Sequence, residues 1–136
     1  MTRIVHVAAG QLGPISVDET RKEVVERLVA LLQEAAGRGA EVIVFPELAL
    51  TTFFPRWYVK DLTHADHWYE TEMPGPATQP LFDEAKRLGI GFCLGYAERI
   101  LDDDGGTARG RQLNGPGWKH LGITPPTGAQ DGLFDK

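Results

Sequence analysis

The chain has 136 residues, of which 42% are hydrophobic and 24% are charged, as is usual for a globular domain. Its net charge of −5 at pH 7 argues against a nucleic-acid partner, because such proteins carry a basic surface for the phosphate backbone. The sequence lacks both the apolar run of about 20 residues that a transmembrane helix needs and the apolar segment of a signal peptide, so we expect a cytoplasmic protein with no membrane partner.

The N-terminal part of the chain predicts a strand, a helix and a second strand. The first strand covers residues 4–9, where β-branched and small side chains dominate. The helix begins near Thr20 and ends at Gly37 or Gly39. A run of four apolar residues at 42–45 predicts a strand that is buried on both faces. Together these elements form a βαβ unit, whose two strands are parallel.

The predicted helix has one apolar stripe and one polar face. Ser16 or Asp18 is the expected N-cap, since either side chain can accept a hydrogen bond from the first turn. The apolar residues that recur at helical spacing are Val24, Val25, Leu28, Leu31, Leu32 and Ala35. Charged and amide side chains occupy much of the remaining surface, which predicts a helix that packs one side against a sheet.

A second helix and a third strand follow a long loop. Residues 79–88 have helical apolar spacing, and Gly89 is suited to end that helix. Residues 90–96 are mostly apolar and predict the third strand. Gly91 and Gly95 within it lack side chains, which permits a neighbouring segment to pack closely. The repeated alternation of strand and helix predicts an α/β fold with a parallel sheet.

Glu47 is the first candidate for chemistry, because it emerges where the second predicted strand ends. Pro46 cannot donate a hydrogen bond to a neighbouring strand and should end the pairing. In open α/β sheets, ligands bind beyond the carboxyl ends of the strands. Two interpretations are open from position alone: an exposed or salt-bridged glutamate, or a carboxylate in an apolar cleft that acts as a general base.

The composition changes from Gly105 onwards. Eight glycines and three prolines occur among residues 105–136, a content well above average. The apolar residues of this segment follow neither a helical nor a strand period, and they are too few to offset the entropy of ordering the chain. We expect a folded domain over residues 1–114 and a disordered tail over residues 115–136. A shift of reading frame near Asn114 would produce the same irregular composition.

Several segments carry a resemblance to a known family. They are residues 45–57, FPELALTTFFPRW; residues 69–76, YETEMPGP; and residues 89–92 and 94–98, GIGF and LGYAE. Together they resemble the carbon–nitrogen hydrolase (nitrilase) superfamily, and more narrowly the N-carbamoyl-D-amino-acid amidohydrolases. The similarity is collinear over residues 1 to about 101, and Gln11, Gly13 and Pro14 fit the same pattern.

The resemblance implies the N-terminal half of a four-layer α-β-β-α sandwich of the nitrilase type. It also implies a Glu-Lys-Cys catalytic set. In that set Glu47 is the general base, a cysteine thiolate attacks the carbamoyl carbon, and a lysine stabilises the oxyanion. The implied substrate is an N-carbamoyl-D-amino acid, which yields the D-amino acid, ammonia and carbon dioxide. No metal or other cofactor is implied.

The lysine and cysteine of this set are not found where the resemblance would place them. Lys119 is the nearest lysine, but its surroundings fit the hairpin before the catalytic lysine better than the catalytic position itself. Cys93 is the single cysteine and lies in the middle of a predicted strand. We expect it to be a small buried residue that packs, not a nucleophile. We therefore expect a truncated chain that does not catalyse the reaction alone.

The remaining candidates allow more than one interpretation. Arg56 could meet a substrate carboxylate, although a structural ion pair is the favoured interpretation. His64, Asp66 and His67 are expected in a surface loop rather than a metal site, since a convincing further ligand is lacking. Four aromatic residues could either line a pocket mouth or pack the loop on the sandwich: Trp57, Tyr58, Trp68 and Tyr69.

A non-catalytic binding or assembly module is the alternative function. Half of a sheet-on-sheet sandwich would expose one face of its sheet, and a large exposed apolar patch promotes association. Such a chain could form a homo-oligomer, which measurements of mass at two concentrations would detect. The partner for the hydrolase interpretation is instead a small N-carbamoyl amino acid.

Overall fold

The computed structural model describes residues 2–58 and 62–99. Within them the chain forms three strands, two α-helices and two short 3-10 helices. In chain order these are β1 (Val7–Ala9), α1 (Arg21–Gly37), β2 (Val42–Val44), 3-10 helices at Phe54–Arg56 and Leu62–Trp68, α2 (Gln79–Leu88) and β3 (Gly91–Cys93). Neither of these α-helices is long and apolar enough to cross a bilayer.

The three strands form one parallel sheet in the order β1-β2-β3. Ala8 pairs with Ile43, and Ile43 pairs with Phe92, so the central residues of the strands lie in one row. The parallel pairing predicted from the strand–helix–strand pattern is therefore confirmed. The described residues form a small mixed fold of helices and strands, consistent with part of an α/β domain, and the four-layer sandwich stays a prediction.

Each strand is shorter than its apolar sequence predicted. β1 begins at Val7 instead of residue 4, and β3 ends at Cys93 instead of residue 96. Ile4 is 77% exposed, so its β-branched side chain does not contribute to the core. β2 ends at Val44, although the backbone N–H of Phe45 still donates to the carbonyl of Cys93 at 2.9 Å. Composition predicted where the strands lie, whereas backbone pairing decides where they end.

The N-terminus of α1 is held by a capping box on Thr20. The Thr20 hydroxyl accepts a hydrogen bond from the N–H of Glu23 (3.3 Å), and the Glu23 carboxylate accepts one from the N–H of Thr20 (2.8 Å). The prediction of Ser16 or Asp18 as the cap was wrong. Ser16 belongs to a separate turn, in which its N–H donates to the Glu19 carboxylate at 3.0 Å.

The second helix has the predicted bounds, Gln79–Leu88. Pro80 lies in its first turn, where a backbone N–H would have no helical partner. Gly89 has φ 68°, the left-handed conformation that ends a helix readily when the residue is glycine. The stop at Gly89, which the sequence predicted, is therefore confirmed, and Pro80 is a second local feature that suits the start of this helix.

One face of the sheet and the two helices enclose the core. The largest fully buried side chains in the described chain are Leu28, Leu32, Ile43, Leu50, Leu81, Val24 and Thr78. Phe92 of β3 also packs toward the helices, with its ring edge-on to Phe82 of α2 at 5.0 Å. The predicted apolar stripe of α1 is confirmed as its core-facing side, with Leu31 half-buried at the margin.

The opposite face of the sheet is exposed in the described chain. Side chains alternate along a strand, so Ile43 and Phe92 face the helices whereas Val44 and Cys93 face away from them. Val7 is 63% exposed, Val44 is 44% exposed and the Cys93 thiol is free. The predictions that β2 is buried on both faces and that Cys93 is buried were therefore wrong, because both assumed a cover on this face.

Candidate active site

Glu47 lies just beyond the carboxyl end of β2, as predicted, and it is exposed. Hydrogen bonds hold the chain on both sides as it leaves the sheet. The N–H of Gly10 donates to the carbonyl of Val44 (2.8 Å), and the N–H of Phe45 donates to the carbonyl of Cys93 (2.9 Å). The carboxylate thus stands at the edge of the sheet where α/β proteins bind ligands.

The backbone of Glu47 rests directly against Gly95. A Cβ at position 95 would lie 2.6 Å from the carbonyl carbon of Glu47 and 2.8 Å from its Cα, far inside normal contact. The N–H of Ala49 also donates to the carbonyl of Gly95 at 2.9 Å. Close packing at Gly95 is therefore confirmed, whereas a Cβ at Gly91 would make an ordinary contact of 3.5 Å with Val42. The close approach at Gly95 fixes where Glu47 emerges.

The segment after Glu47 is buried and is anchored to α1. Leu50 and Thr52 are 1% and 2% exposed. The guanidinium of Arg21, in the first turn of α1, donates to the carbonyl of Leu50 and forms an ion pair with Glu70 at 2.5 Å. This anchor was missed from the sequence, because an arginine in a first helical turn gives no indication of a distant carbonyl partner.

A cleft with room of about 400 Å³ opens beside Glu47. It lies between the loop after β1 and the loop after β2, which meet because neighbouring parallel strands end at the same edge of the sheet. The described residues that line it are Leu12, Gly13, Pro14, Ile15, Pro46, Glu47, Leu48, Thr51, Phe53 and Arg56. Small-molecule sites commonly occupy about 300–1,000 Å³ within largely apolar walls and hold a few polar groups, so the cleft is of a suitable size.

The loop after β1 forms one wall of the cleft, and α1 holds it in place. Arg27 donates to the carbonyls of Leu12 (2.6 Å) and Pro14 (3.1 Å) and forms an ion pair with Glu19 at 2.5 Å. Hydrogen bonds from the Ser16 N–H and from Arg27 hold the pKa of Glu19 below its ordinary value. The sequence predicted that the first strand ends here, but not that the following loop forms a wall of the cleft. The position of this loop after a parallel strand was a signal that could have indicated it.

Arg56 borders the same cleft at the end of the 3-10 helix Phe54–Arg56. Its Nε donates to the carbonyl of Phe53 at 3.3 Å, and its guanidinium carbon lies 5.0 Å from the ring centre of Trp57. Within residues 2–58 and 62–99, Arg56 takes part in no ion pair. The favoured interpretation of Arg56 as a structural ion-pair residue was therefore wrong for the described chain.

Aromatic contacts fix the segment that carries Arg56. The ring of Phe54 stacks on Trp68 with centroids 5.1 Å apart and contacts Tyr69 at 5.4 Å. Trp57 contacts Trp68 at 5.9 Å. Three of the four aromatic candidates thus pack the loop, whereas Tyr58 is 88% exposed. None of the four belongs to the described lining of the cleft.

The other candidates do not join Glu47 at the cleft. Cys93 lies on the exposed face of the sheet and is not among the described residues that line the cleft. Lys119 and the rest of residues 100–136 lie outside the described residues, as does the predicted tail. The structure therefore brings Glu47 together with Thr51 and Arg56 but not with a cysteine.

The loop histidines and their neighbour have structural contacts. Asp66 forms an ion pair with Arg99, and the ring of His67 packs on Trp68 at 4.6 Å. His64 is exposed. Across the part of the chain that the structure describes, histidine, cysteine and acidic residues form no group of three that could hold a metal ion.

The described residues thus form a mixed fold of helices and strands, with a cleft lined by Glu47 at the carboxyl edge of a small parallel sheet. Residues 6–119 match the carbon-nitrogen hydrolase family, and the chain belongs to that family.

Relatives with named activities agree with this family. The chain is 33% identical over 104 residues to a nitrilase of Paraburkholderia phymatum, covering 71% of this chain and 30% of the relative. It is 30% identical over 119 residues to an aliphatic nitrilase of Rhodococcus rhodochrous, covering 82% and 31%. An omega-amidase of Danio rerio is 30% identical over 92 residues, covering 68% and 29%. The chain thus spans about three tenths of the length of these relatives.

Proposed function

We propose that this chain carries the general-base part of a carbon–nitrogen hydrolase site that acts on N-carbamoyl-D-amino acids. The observation that carries the proposal is the position of Glu47, which lines a largely apolar cleft at the carboxyl end of a parallel strand. Membership of the family supplies the class of reaction, hydrolysis of a carbon–nitrogen bond. The resemblance of residues 45–57 to the amidohydrolases supports the narrower substrate.

In the proposed reaction Glu47 accepts the proton of an attacking thiol, the thiolate forms a bond to the carbamoyl carbon, and Glu47 gives the proton to the leaving nitrogen, which departs as ammonia. Water then cleaves the resulting thiocarbamate, with Glu47 accepting a proton from that water and returning it to the thiolate. The carbamic acid that is released loses carbon dioxide and leaves the D-amino acid. Cys93 cannot be this thiol in the described arrangement, because it faces away from the core and does not line the cleft. Since Cys93 is the single cysteine of the sequence, we expect the 136-residue chain to bind substrate without hydrolysing it.

The test measures ligand binding and ammonia release by the same preparation. A ligand-observed NMR titration would compare N-carbamoyl-D-phenylalanine with its L-enantiomer, with succinamate as an ω-amide and with phenylacetonitrile as a nitrile. We expect the D-carbamoyl compound to bind best. Glu47→Gln should weaken its binding by about 3- to 10-fold, because a hydrogen bond from the carbamoyl group to the carboxylate is worth about 1 kcal/mol net.

One control variant and two contrary outcomes make this test decisive. Glu26→Gln, an exposed glutamate on α1 outside the cleft, should leave binding unchanged. Preferred binding of succinamate or of the nitrile would overturn the carbamoyl substrate while leaving the family intact. Ammonia release that disappears in both Glu47→Gln and Cys93→Ser would contradict the non-catalytic assignment of Cys93.

A second candidate function, assembly through the sheet, is favoured by one observation. Val7 and Val44 are 63% and 44% exposed on the face that turns away from the helices. Apolar side chains on one continuous surface are typical of an interface. This alternative does not use the cleft, so the two functions are separable by experiment.

A further inference from the structure

We infer that Arg56 determines specificity by receiving the carboxylate of the substrate. This inference rests on the proposed function and adds to it the residue that selects an anionic ligand. The cleft has one described cation and one described anion in its lining, Arg56 and Glu47. A substrate that has both a carboxylate and a neutral carbamoyl group can satisfy this pair, with the carboxylate directed to Arg56 and the carbamoyl group to Glu47.

The ion pairs of the described chain set Arg56 apart from the other arginines. Seven arginines lie within residues 2–58 and 62–99, and six of them have a carboxylate partner: Arg3, Arg21, Arg27, Arg38, Arg87 and Arg99. Arg56 alone among these seven has none. A guanidinium without a protein carboxylate at the edge of a cleft is available to a carboxylate that arrives with a ligand.

The guanidinium of Arg56 is also oriented before a ligand binds. Its Nε is engaged by the carbonyl of Phe53 (3.3 Å), and its plane is held near the ring of Trp57 (5.0 Å). The hydrogen bond within the described chain uses Nε, which leaves the two terminal nitrogens for a ligand. Those nitrogens form the fork that binds a carboxylate through two hydrogen bonds.

The backbone beneath Arg56 is fixed by packing as well. Phe54 stacks on Trp68 with a ring-centre separation of 5.1 Å and an angle of 5° between the rings. Thr52, two residues before Phe54, is 2% exposed. A guanidinium on a fixed backbone loses less conformational entropy on binding than one on a mobile loop. Because its guanidinium is held in place, Arg56 is suited to bind a carboxylate by direct hydrogen bonds and not only to raise the positive potential of the cleft.

The experiment compares two ligands that differ in the carboxylate alone. N-carbamoyl-D-phenylalanine carries it, and N-(2-phenylethyl)urea lacks it. By ligand-observed NMR titration, the carboxylate should tighten binding to the wild-type chain by about 2- to 5-fold, as expected for an ion pair at an exposed site. In Arg56→Gln this advantage should disappear, while the affinity for the urea stays as in the wild type.

Two further variants distinguish paired hydrogen bonds from the guanidinium of Arg56 from a general effect of positive charge. Arg56→Lys keeps the charge without the fork and should retain only part of the advantage of the carboxylate. Arg87→Gln removes an exposed arginine of α2 that does not line the cleft, and it should change neither affinity. Thermal melting of each variant would show that the loop still folds.

The possible outcomes distinguish this inference from the proposed function. If the urea binds but the carboxylate gives no advantage, or if Arg56→Gln keeps that advantage, the role of Arg56 is overturned and the proposed function stands. If Arg56→Gln weakens both ligands equally, Arg56 shapes the cleft and does not select the carboxylate. If neither ligand binds the wild-type chain, the proposed function fails, and the inference fails with it.

Discussion

Gly95 sets the position of the candidate base, Glu47. Its missing side chain allows the backbone of Glu47 to lie where a Cβ would come within 2.6 Å of the Glu47 carbonyl carbon. The obstacle is backbone, which cannot rotate away as a flexible side chain could. We expect Gly95→Ala to lower the free energy of unfolding by about 1–3 kcal/mol, as overpacking does, and to displace the Glu47 carboxylate.

Urea unfolding would measure this change, with Gly37→Ala as the matched control. A Cβ at Gly37 meets nothing within 4 Å, and the residue is the last of α1. Alanine there should leave stability unchanged or raise it by up to about 1 kcal/mol, because glycine is a poor helix former. If the two substitutions have equal effects, the backbone of Glu47 does not lie as close to Gly95 in solution as in the structure, and the prediction is contradicted. Ligand titration of Gly95→Ala would then report whether Glu47 has moved.

Glu84 joins the two α-helices of the described chain. The Gln33 side chain of α1 donates to Glu84 at 2.6 Å, and Arg87 of α2 forms an ion pair with the same carboxylate at 2.6 Å. Hydrogen bonds from Arg87 and from Gln33 lower the pKa of Glu84 from its ordinary value of 4.5 to about 2. The folded chain therefore holds this carboxylate ionised at a pH where the unfolded chain has protonated it.

The sign of the resulting pH dependence follows from that lowered pKa. Glu84 contributes stability that is fully present above pH 4.5 and is lost as the pH falls from 4.5 toward 2. Glu84→Gln should thus melt below the wild type at about pH 6, and the difference should shrink toward about pH 3. Arg87→Gln, which removes the larger cause, should reduce the same contribution. A difference that stays constant with pH would contradict the assignment.

The elements also show which parts of the fold could be predicted from the sequence. α2 was predicted to the residue because the helical apolar spacing of residues 79–88 and the glycine at position 89 are both local features of the sequence. Thr20 was missed as a cap, although Glu23 three residues later makes a visible capping box. The strand ends were not predictable in this way, since they depend on which backbone groups find partners on another strand.

Some features of the candidate site could likewise be predicted from the sequence, and others could not. Glu47 could be located from the sequence because it directly follows a strong apolar run and a proline. Three other features of the site could not be predicted, because they depend on segments far apart in sequence. They are the cleft wall formed by residues 12–15, the contact between Gly95 and Glu47, and the absence of an ion pair at Arg56 within the described chain. The catalytic role of Glu47 stays a prediction.

The two faces of the sheet differ in how far the described chain covers them. One face is sealed by α1 and α2 over Ile43, which is 1% exposed, whereas Val44 beside it is 44% exposed on the other face. In the parallel register, Ala9, Val44 and Cys93 lie in one row across the three strands. Val44 is therefore at the centre of the exposed face and is the position at which a charge would most disturb any cover.

If the exposed face mediates assembly, Val44→Lys should prevent it, because an ammonium at the centre of an interface must lose its water without gaining a partner. Light scattering after size exclusion should then show a mass that rises with concentration for the wild type and stays at 15.0 kDa for the variant. Val17→Lys is the matched control, since Val17 is 53% exposed and lies outside the sheet. It should assemble as the wild type does. A wild-type chain that is monomeric at every concentration would rule out assembly through this face, and the cleft beside Glu47 would remain the functional site to test.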